Sequence, residues 1–384
     1  MTVRLTPELE EMRAALRKFT MQELEPWARK IDETGEVPSE VPRLLQKHGY
    51  LGMRIDEAYG GGGVGLAAYC LALEEFSRSH RVFTIEVGAS SGITPFAIMR
   101  FGSDAQRRKY LPGLANGQLR TAFALTEPEA GSDSAAMKTK ATRVEGGWVL
   151  DGRKHFINGA HVANFVMVMA VTDSVKRARG GVTAFLVERG TPGFAVTRVD
   201  TTIGSEAIKL AELTFDGCKV DDSAVVGQVG EGFKIAMASL TEGRLSVACS
   251  CIGIADRLLE MAIAHALSRS TFGKPLAERQ AIQWMLADSA TELAAARALT
   301  YGTILDVEAG IDTGSRPSMS KLVCSEMVGR VADRAVQIHG GMGVIRGFPV
   351  ERFYRDVRHY RIGEGSSEIQ RMLIARELLK KGHP

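Results

Sequence analysis

No C-x-x-C pair, no H-E-x-x-H and no two histidines three or four residues apart occur in this sequence, so a zinc site has no basis in it. Cysteine is scarce and odd in number: Cys70, Cys218, Cys249, Cys251 and Cys324 cannot all pair, which argues against a disulfide framework. Reduced thiols in a cytoplasmic, reducing compartment are expected. Neither sign of charge is in large excess. With 48 basic against 45 acidic side chains the net charge is +3, which excludes the footprint of a nucleic-acid or polybasic membrane partner. No stretch is expected to approach a membrane span. The opening MTVRLTPELEEMRAALRKF has acids where a signal or transit peptide would have basic and apolar runs.

The 384 residues are long enough for two or three domains at roughly 150 residues each. Residues 1–118 read as helical: Thr6 can cap, Pro7 suits the first helical position, and Leu9, Met12, Leu16 and Phe19 recur at helical spacing. Residues 119–228 change pattern. Short β-prone runs (TKATRVEGGWVLDGRKHFI, NFVMVMAV, VTAFLVE, FAVTRV, LAELTF) follow closely, with turn signals at Glu145-Gly146-Gly147 and Asp151-Gly152. Without helical patterns between them, an antiparallel β domain fits better than a parallel βαβ sheet. Residues 229–384 return to helical spacing, with Ile254, Leu258, Met261 and His265 on one face and an Ala-rich stretch from Ala287 to Ala298. The expected fold is α+β, an all-α domain, a β domain and a second all-α domain.

Three local patterns compete for function. Gly60, Gly62 and Gly65 match G-x-G-x-x-G, but polar RIDEAY precedes them where a dinucleotide fold needs a strand, so a turn is the better reading. GASSG, residues 88–92, matches the hydrolase elbow G-x-S-x-G and follows the β-like VFTIEV, which makes Ser90 a candidate nucleophile. The same residues read as a buried helix with small side chains at a close approach. The third pattern is RIGEGSSEIQ, where Glu364 stands between two glycines just ahead of a helix. Ser367 and Gln370 have capping-box spacing, placing the helix start directly after the acid. His359 is near enough in sequence to tune Glu364.

LTEPEAGSD (125–133), GRKHFINGA (152–160), LTEGRL (240–245), SRSTFGKPLAERQ (268–280), QIHGGMG (337–343) and YRDVRHYRIGEGSSEIQR (354–371) occur in that order. Together they resemble the acyl-CoA dehydrogenase family along nearly the whole chain, and the C-terminal part then resembles that family's four-helix bundle. The resemblance implies FAD as cofactor, an acyl-CoA substrate, electron-transfer flavoprotein as acceptor and a homotetramer working in fatty acid metabolism. Glu364 matches the catalytic base, which removes the α-proton while flavin N5 accepts the β-hydride, giving a trans-2-enoyl-CoA. Phe123, Leu125 and Thr126 match the flavin's pyrimidine edge, and Phe156 with Asn158 the side of its ring. Arg269, Phe272 and Gln280 match positions on a neighbouring subunit's FAD. Gln337, Gly340 and Gly341 match the adenosine loop, while Ser366 and Glu368 also face the cofactor. Ser132 and Arg244 match positions used on the CoA portion. Gly365 lets backbone approach the thioester carbonyl, where N–H donors can be worth ~3 to 4 kcal/mol each to the developing charge.

Departures from the family's pattern set further expectations. Phe156 stands where Trp is frequent and Asn158 where Ser or Thr is frequent. Some members carry the base at the slot of Gly243, leaving Glu364 as base here and adjacent Glu242 as a weaker candidate. Gly363 suggests a roomier pocket for a branched or ring-containing acyl group, with ordinary chains left open. Arg81 and Arg361 could meet a substrate carboxylate, although solvent or CoA contacts fit them better. An acyl-CoA oxidase, a leaving-group-eliminating member of the same scaffold and a serine hydrolase using Ser90 remain the alternatives.

Overall fold

The computed structural model describes residues 5–381. Its first helix, α1 (Pro7–Phe19), begins as its sequence dictates: Thr6 Oγ1 accepts from Leu9 N at 3.4 Å and Pro7 occupies the first turn. A π-helical turn, Thr20–Leu24, joins it to α2 (Glu25–Thr34), followed by α3 (Glu40–Lys47), α4 (Leu66–Phe76), α5 (Arg81–Ser91), α6 (Ile93–Phe101) and α7 (Asp104–Ala115). Leu16 and Phe19 are buried against α4, most of whose residues are buried, because α4 has neighbours on every side. The glycine run before α4 follows a 3₁₀ turn, Glu57–Tyr59, rather than a strand, so it builds no dinucleotide site.

The β-like VFTIEV run is helical here, forming most of α5. The segment Arg81–Phe101 also corrects the membrane expectation: at mean hydropathy 1.3 it is long and apolar enough for a span. It is broken at Gly92 into α5 and α6, and 61% of the window is buried inside the protein. A helix hydrophobic all round belongs to a core as readily as to a bilayer.

The strands are β1 (Thr121–Ala124), β2 (Lys140–Val144), β3 (Gly147–Asn158), β4 (Phe165–Val171), β5 (Val182–Glu188), β6 (Phe194–Thr201), β7 (Lys209–Asp221) and β8 (Val225–Val226). They form one sheet in the order β6-β7-β3-β2-β4-β5-β8, with β1 on β4. Most pairs are antiparallel, as expected, but β1 pairs with β4 in parallel and β2 touches β4 in parallel at Lys140. Glu145-Gly146 closes the β2–β3 hairpin. Asp151-Gly152 does not turn the chain; it lies inside β3 at a register shift, with Gly152 at φ 149°. A Cβ there would lie 2.6 Å from the Thr139 Cα, so the strand reads through only because the side chain is missing.

Beyond the sheet run α8 (Gly232–Ser268), a hairpin of β9 (Ser270–Thr271) and β10 (Lys274–Pro275), then α9 (Gln280–Glu308), α10 (Arg316–His339), α11 (Pro349–Asp356) and α12 (Ser367–Lys381). Helix α10 packs on α8, α9 and α12, and the aliphatic residues facing inward form one core, Ile254 and Leu258 among them. The two helical parts also share a core. Glu74 of α4 is buried, accepting from Arg297 Nη2 at 2.8 Å and Tyr301 Oη at 2.7 Å on α9. Gly253 of α8 lies against α4 so closely that a Cβ would sit 1.8 Å from the Glu74 carbonyl oxygen. Gly253→Ala is therefore expected to cost about 3 kcal/mol through overpacking, and a melting temperature equal to that of the native protein would contradict this contact.

Candidate functional site

Glu364 lies in the turn between α11 and α12, in the left-handed region at φ 55°, followed by Gly365 at φ 89°. Such a conformation costs a glutamate about 1–3 kcal/mol and persists only where surrounding groups hold it. The main holders are Lys321 Nζ, donating to the Gly365 carbonyl at 2.8 Å, and Gln370 Nε2, donating to the same oxygen at 2.9 Å and to the Glu364 carbonyl at 3.2 Å. A Cβ on Gly365 would sit 2.7 Å from Gln370 Nε2, so this glycine makes room for the amide that ties the turn to α12. The expected capping box is displaced. Ser366, not Ser367, accepts from Ile369 N (3.4 Å), Ser367 Oγ donates to Glu326 Oε1 at 2.6 Å, and Gln370 turns back to the carbonyls.

The residue is partly exposed as a whole, yet Oε2 of its carboxylate is buried and has no hydrogen-bond partner. Burial pushes the carboxyl up to about 7, with Lys321, Arg244 and Arg81 pulling it down. Desolvation prevails because none of the three cations neutralises the acid by direct hydrogen bonding. Gly243 of α8 completes the space: a Cβ there would stand 2.4 Å from Glu364 Oε2 and 3.4 Å from Ile93 Cδ1. A side chain at 243 and a carboxylate at 364 would thus compete for one place. Adjacent Glu242 is engaged elsewhere, ion-paired with Arg54.

On the sheet, the end of β1 is pinned to β3. Lys154, fully buried, donates to the Leu125 carbonyl at 2.9 Å and to Glu127 Oε1 at 2.8 Å. Glu127 also accepts from the N–H groups of Lys138 (2.6 Å) and Thr139 (2.9 Å). Burial opposes the charge on Glu127, but Lys154 and these donors outweigh it and hold its pKa below the ordinary value. Burial lowers Lys154 to about 8 against the pull of Glu127. Two residues further on, β3 bulges between Lys154 and Ile157, with Phe156 at φ 58°. The bulge re-aims Phe156 outward, 54% exposed, its ring stacked on His155 at 3.9 Å between centroids. Asn158 Oδ1 at the strand's end is buried without a hydrogen-bond partner.

Profiles of the acyl-CoA dehydrogenase N-terminal, middle and C-terminal domains match residues 6–118, 122–218 and 230–379. The chain is 38% identical over 375 residues to an acyl-CoA dehydrogenase of Bacillus subtilis, covering 98% of this chain and 99% of that one. It is 39% identical over 383 residues to an acryloyl-CoA reductase (NADH) of Anaerotignum propionicum, covering 98% and 96%. The structure of butyryl-CoA dehydrogenase from Megasphaera elsdenii superposes with a TM-score of 0.93 at 34% identity, covering 99% of this chain and all of that one. The chain belongs to the acyl-CoA dehydrogenase family.

Membership makes it an FAD-dependent oxidoreductase acting on CH–CH bonds. The residues present fit a flavin. An aromatic face (Phe156), an unpartnered buried amide oxygen (Asn158) and the rigid backbone of Leu125 and Thr126 supply the stacking surface and polar groups that an acyl-CoA dehydrogenase needs beside its ring system. Phe123 lies on β1 in register with Met167. The other expected cofactor contacts lie on the surface: Arg269, Phe272 (96% exposed, φ 51°), Gln280, Gln337, Gly340, Gly341 and Glu368 are exposed, and Ser366 is partly so. Gln337 lines a cavity of about 300 Å³ with Val344 and Tyr354. Ser132 is in an exposed loop.

The readings of His359 and Ser90 need correction, while the three arginines take settings that the sequence did not show. Arg244, expected on the CoA portion, has its Nε buried and unpartnered, near enough to Glu364 for the two charges to act on each other. Arg81 has its Nε buried, and its guanidinium lies 5.4 Å from the ring centre of Tyr360. Arg361 pairs with Glu326 at 3.4 Å. His359, held neutral by burial beside Arg81, is not among the groups that tune Glu364. Ser90 is buried in helix α5, accepting from Gly52 N at 3.2 Å and donating to the Val87 carbonyl at 3.0 Å, with no strand-to-helix elbow. Gly363 does have open space: a Cβ would meet only His359 O, at 3.7 Å.

Sequence reasoning missed Lys154, Glu127, Lys321 and Gln370 as builders of the site. Lys154 and Glu127 stand inside quoted motifs, and two opposite charges in otherwise apolar β surroundings are the available signal. Lys154→Met leaves Glu127 buried and unpaired, so it is expected to destabilise the protein by about 3–5 kcal/mol and to lower bound flavin. Purified variant with native melting temperature and full yellow colour would contradict this.

Proposed function

We propose that this acyl-CoA dehydrogenase family member converts an acyl-CoA thioester to its trans-2-enoyl-CoA, with Glu364 as the base. The observation that carries the reading is the Glu364 carboxylate oxygen, buried, unpartnered and raised to about 7 among three cations. An α-proton next to a thioester is too weak an acid for water to remove at a useful rate, and a positioned carboxylate of raised pKa supplies the missing basicity. Bound FAD supplies the two-electron acceptor for the β-hydrogen. Glu364 takes the α-proton on Oε2, and the backbone N–H at the strained turn is available to the thioester oxygen on which charge develops. Phe156 and Asn158 orient the cofactor, and Gly243 keeps the base's position clear.

We assign electron-transfer flavoprotein as acceptor, a cytoplasmic homotetramer as the working form, a place in fatty acid metabolism, and domain boundaries at 118/119 and 228/229. Self-association is supported by the large apolar side chains left uncovered near the β9–β10 hairpin: Phe272 is 96%, Leu267 65% and Trp284 61% exposed. The space at Gly363 supports a branched or ring-containing acyl group.

The acryloyl-CoA reductase relative favours a second reading, in which the same carboxyl, protonated, delivers the proton during reduction of an enoyl thioester. The two differ in sign with pH. A carboxyl raised to about 7 is mostly protonated below pH 7 and ionised above it. Dehydrogenation is therefore expected to rise with pH through about 7, whereas proton delivery falls across the same window. Anaerobic flavin bleaching by a panel of acyl-CoAs measures the first and separates substrates; peroxide release in air would mark an oxidase instead. Glu364→Gln is expected to keep FAD and bind ligand but to slow bleaching by at least about 100-fold, and rapid bleaching by this variant would refute the assignment.

A further inference from the structure

Lys321 sits in the first half of α10 with a fully buried side chain, pointing across the bundle at the turn that carries Glu364. Its Nζ donates to the Gly365 carbonyl at 2.8 Å. That partner is a neutral oxygen, although a buried ammonium ordinarily sits against a carboxylate. Burial lowers its pKa, while Cys251, Glu364 and Glu326 raise it again and Arg244 adds to the lowering. A lysine placed only for packing would be replaced at lower cost by a methionine of similar length, since it would then need no counter-charge.

We propose that Lys321 is the positioning residue of the base, its ammonium anchoring the Gly365 carbonyl so that the Glu364 carboxylate is held in its strained, buried orientation. This rests on the reading of Glu364 as base. Two consecutive residues of positive φ, Glu364 at 55° and Gly365 at 89°, would relax if the carbonyl between Gly365 and Ser366 were released. Gln370 reaches the same oxygen from α12, so the turn is clamped from two helices, and only one of the two clamps is charged. The ammonium also acts on the carboxylate through space, ahead of Arg244 on α8 and Arg81 on α5. Tyr69 on α4 also feels Glu364; it is a neutral phenol throughout the working range. His359 beside Arg81 and Lys321 is neutral and adds no charge.

Two neutral replacements separate the bond from the charge. Lys321→Gln keeps an N–H donor for the carbonyl, and Lys321→Met keeps neither. Anaerobic flavin reduction by an acyl-CoA is followed from pH 5.5 to 9 in FAD-loaded protein, together with melting temperature and affinity for a non-oxidisable acyl-CoA thioether. Both variants are expected to move the acidic limb upward by about one pH unit. Lys321→Met is expected to lose a further tenfold or more in maximal rate, and thioether binding at high pH is expected to stay within about threefold. Lys321→Arg, which keeps the charge, is expected to restore the limb. A purely structural lysine would lower melting temperature and flavin content without moving the limb, and that result would overturn the proposal. So would failure of both neutral variants to yield folded, flavin-bearing protein. Glu364→Gln run in parallel separates the two readings: activity in that variant overturns the base itself, whereas its loss with unmoved limbs in the Lys321 variants overturns only the anchor.

Discussion

A carboxylate oxygen kept from water and from hydrogen bonds is among the costliest groups a protein can keep, and the arrangement around Oε2 of Glu364 is organised by that cost. Oε2 of Glu364 has no donor within reach, and its backbone is held at a positive φ that glutamate adopts reluctantly. Three cations from three helices, Lys321, Arg244 and Arg81, lower the expense without removing it. Were one of them bonded directly to the carboxylate, the acid would ionise readily and be a poor base. Kept at a distance, they leave a group that titrates near neutrality.

The rest of the architecture makes that balance rigid. The turn bearing Glu364 is fastened to α10 through Lys321 and to α12 through Gln370. The segment just before it is fastened to the sheet domain, because Ser205 Oγ donates to buried Asp356 at 2.6 Å and Gly204 packs against the backbone of Arg355 and Asp356. On the sheet side, the Lys154–Glu127 pair fixes the end of β1 against β3 immediately before the bulge that presents Phe156. Both halves of the site are therefore short irregular stretches braced by buried charge. Apolar packing cannot dictate a carbonyl's direction in the way a charged donor can.

Much of this was legible beforehand, but unevenly. The start of α1 could be read because Thr6 and Pro7 act on their own neighbours. The helix–sheet–helix order could be read because periodicity is local, and the motif order pointed to the family. Misreadings arose where a local pattern met a non-local partner. VFTIEV has β-like composition, yet it is helix α5, since the neighbours it buries against reward a helix. Ser367 and Gln370 have the spacing of a capping box, but Glu326 on α10 takes the serine and the carbonyls of Glu364 and Gly365 take the glutamine. Asp151-Gly152 looks like a turn and is a bulge, because β7 continues to pair on both sides of it.

By itself the sequence determined which residues form helices and strands in most of the chain, the family's motif order, and, through that order, which acid flanked by glycines ahead of a helix to single out. Those depend on interactions within a few residues. Only the tertiary structure decided that one oxygen of this acid is buried without a partner, that Glu242 is engaged by Arg54, that Arg244 and Arg81 bury their Nε atoms, and that Lys321 holds the turn. A pKa depends on what lies within several ångströms in every direction, and in a folded chain those neighbours come from α4, α5, α8 and α10, from 43 residues away at Lys321 to 295 at Tyr69.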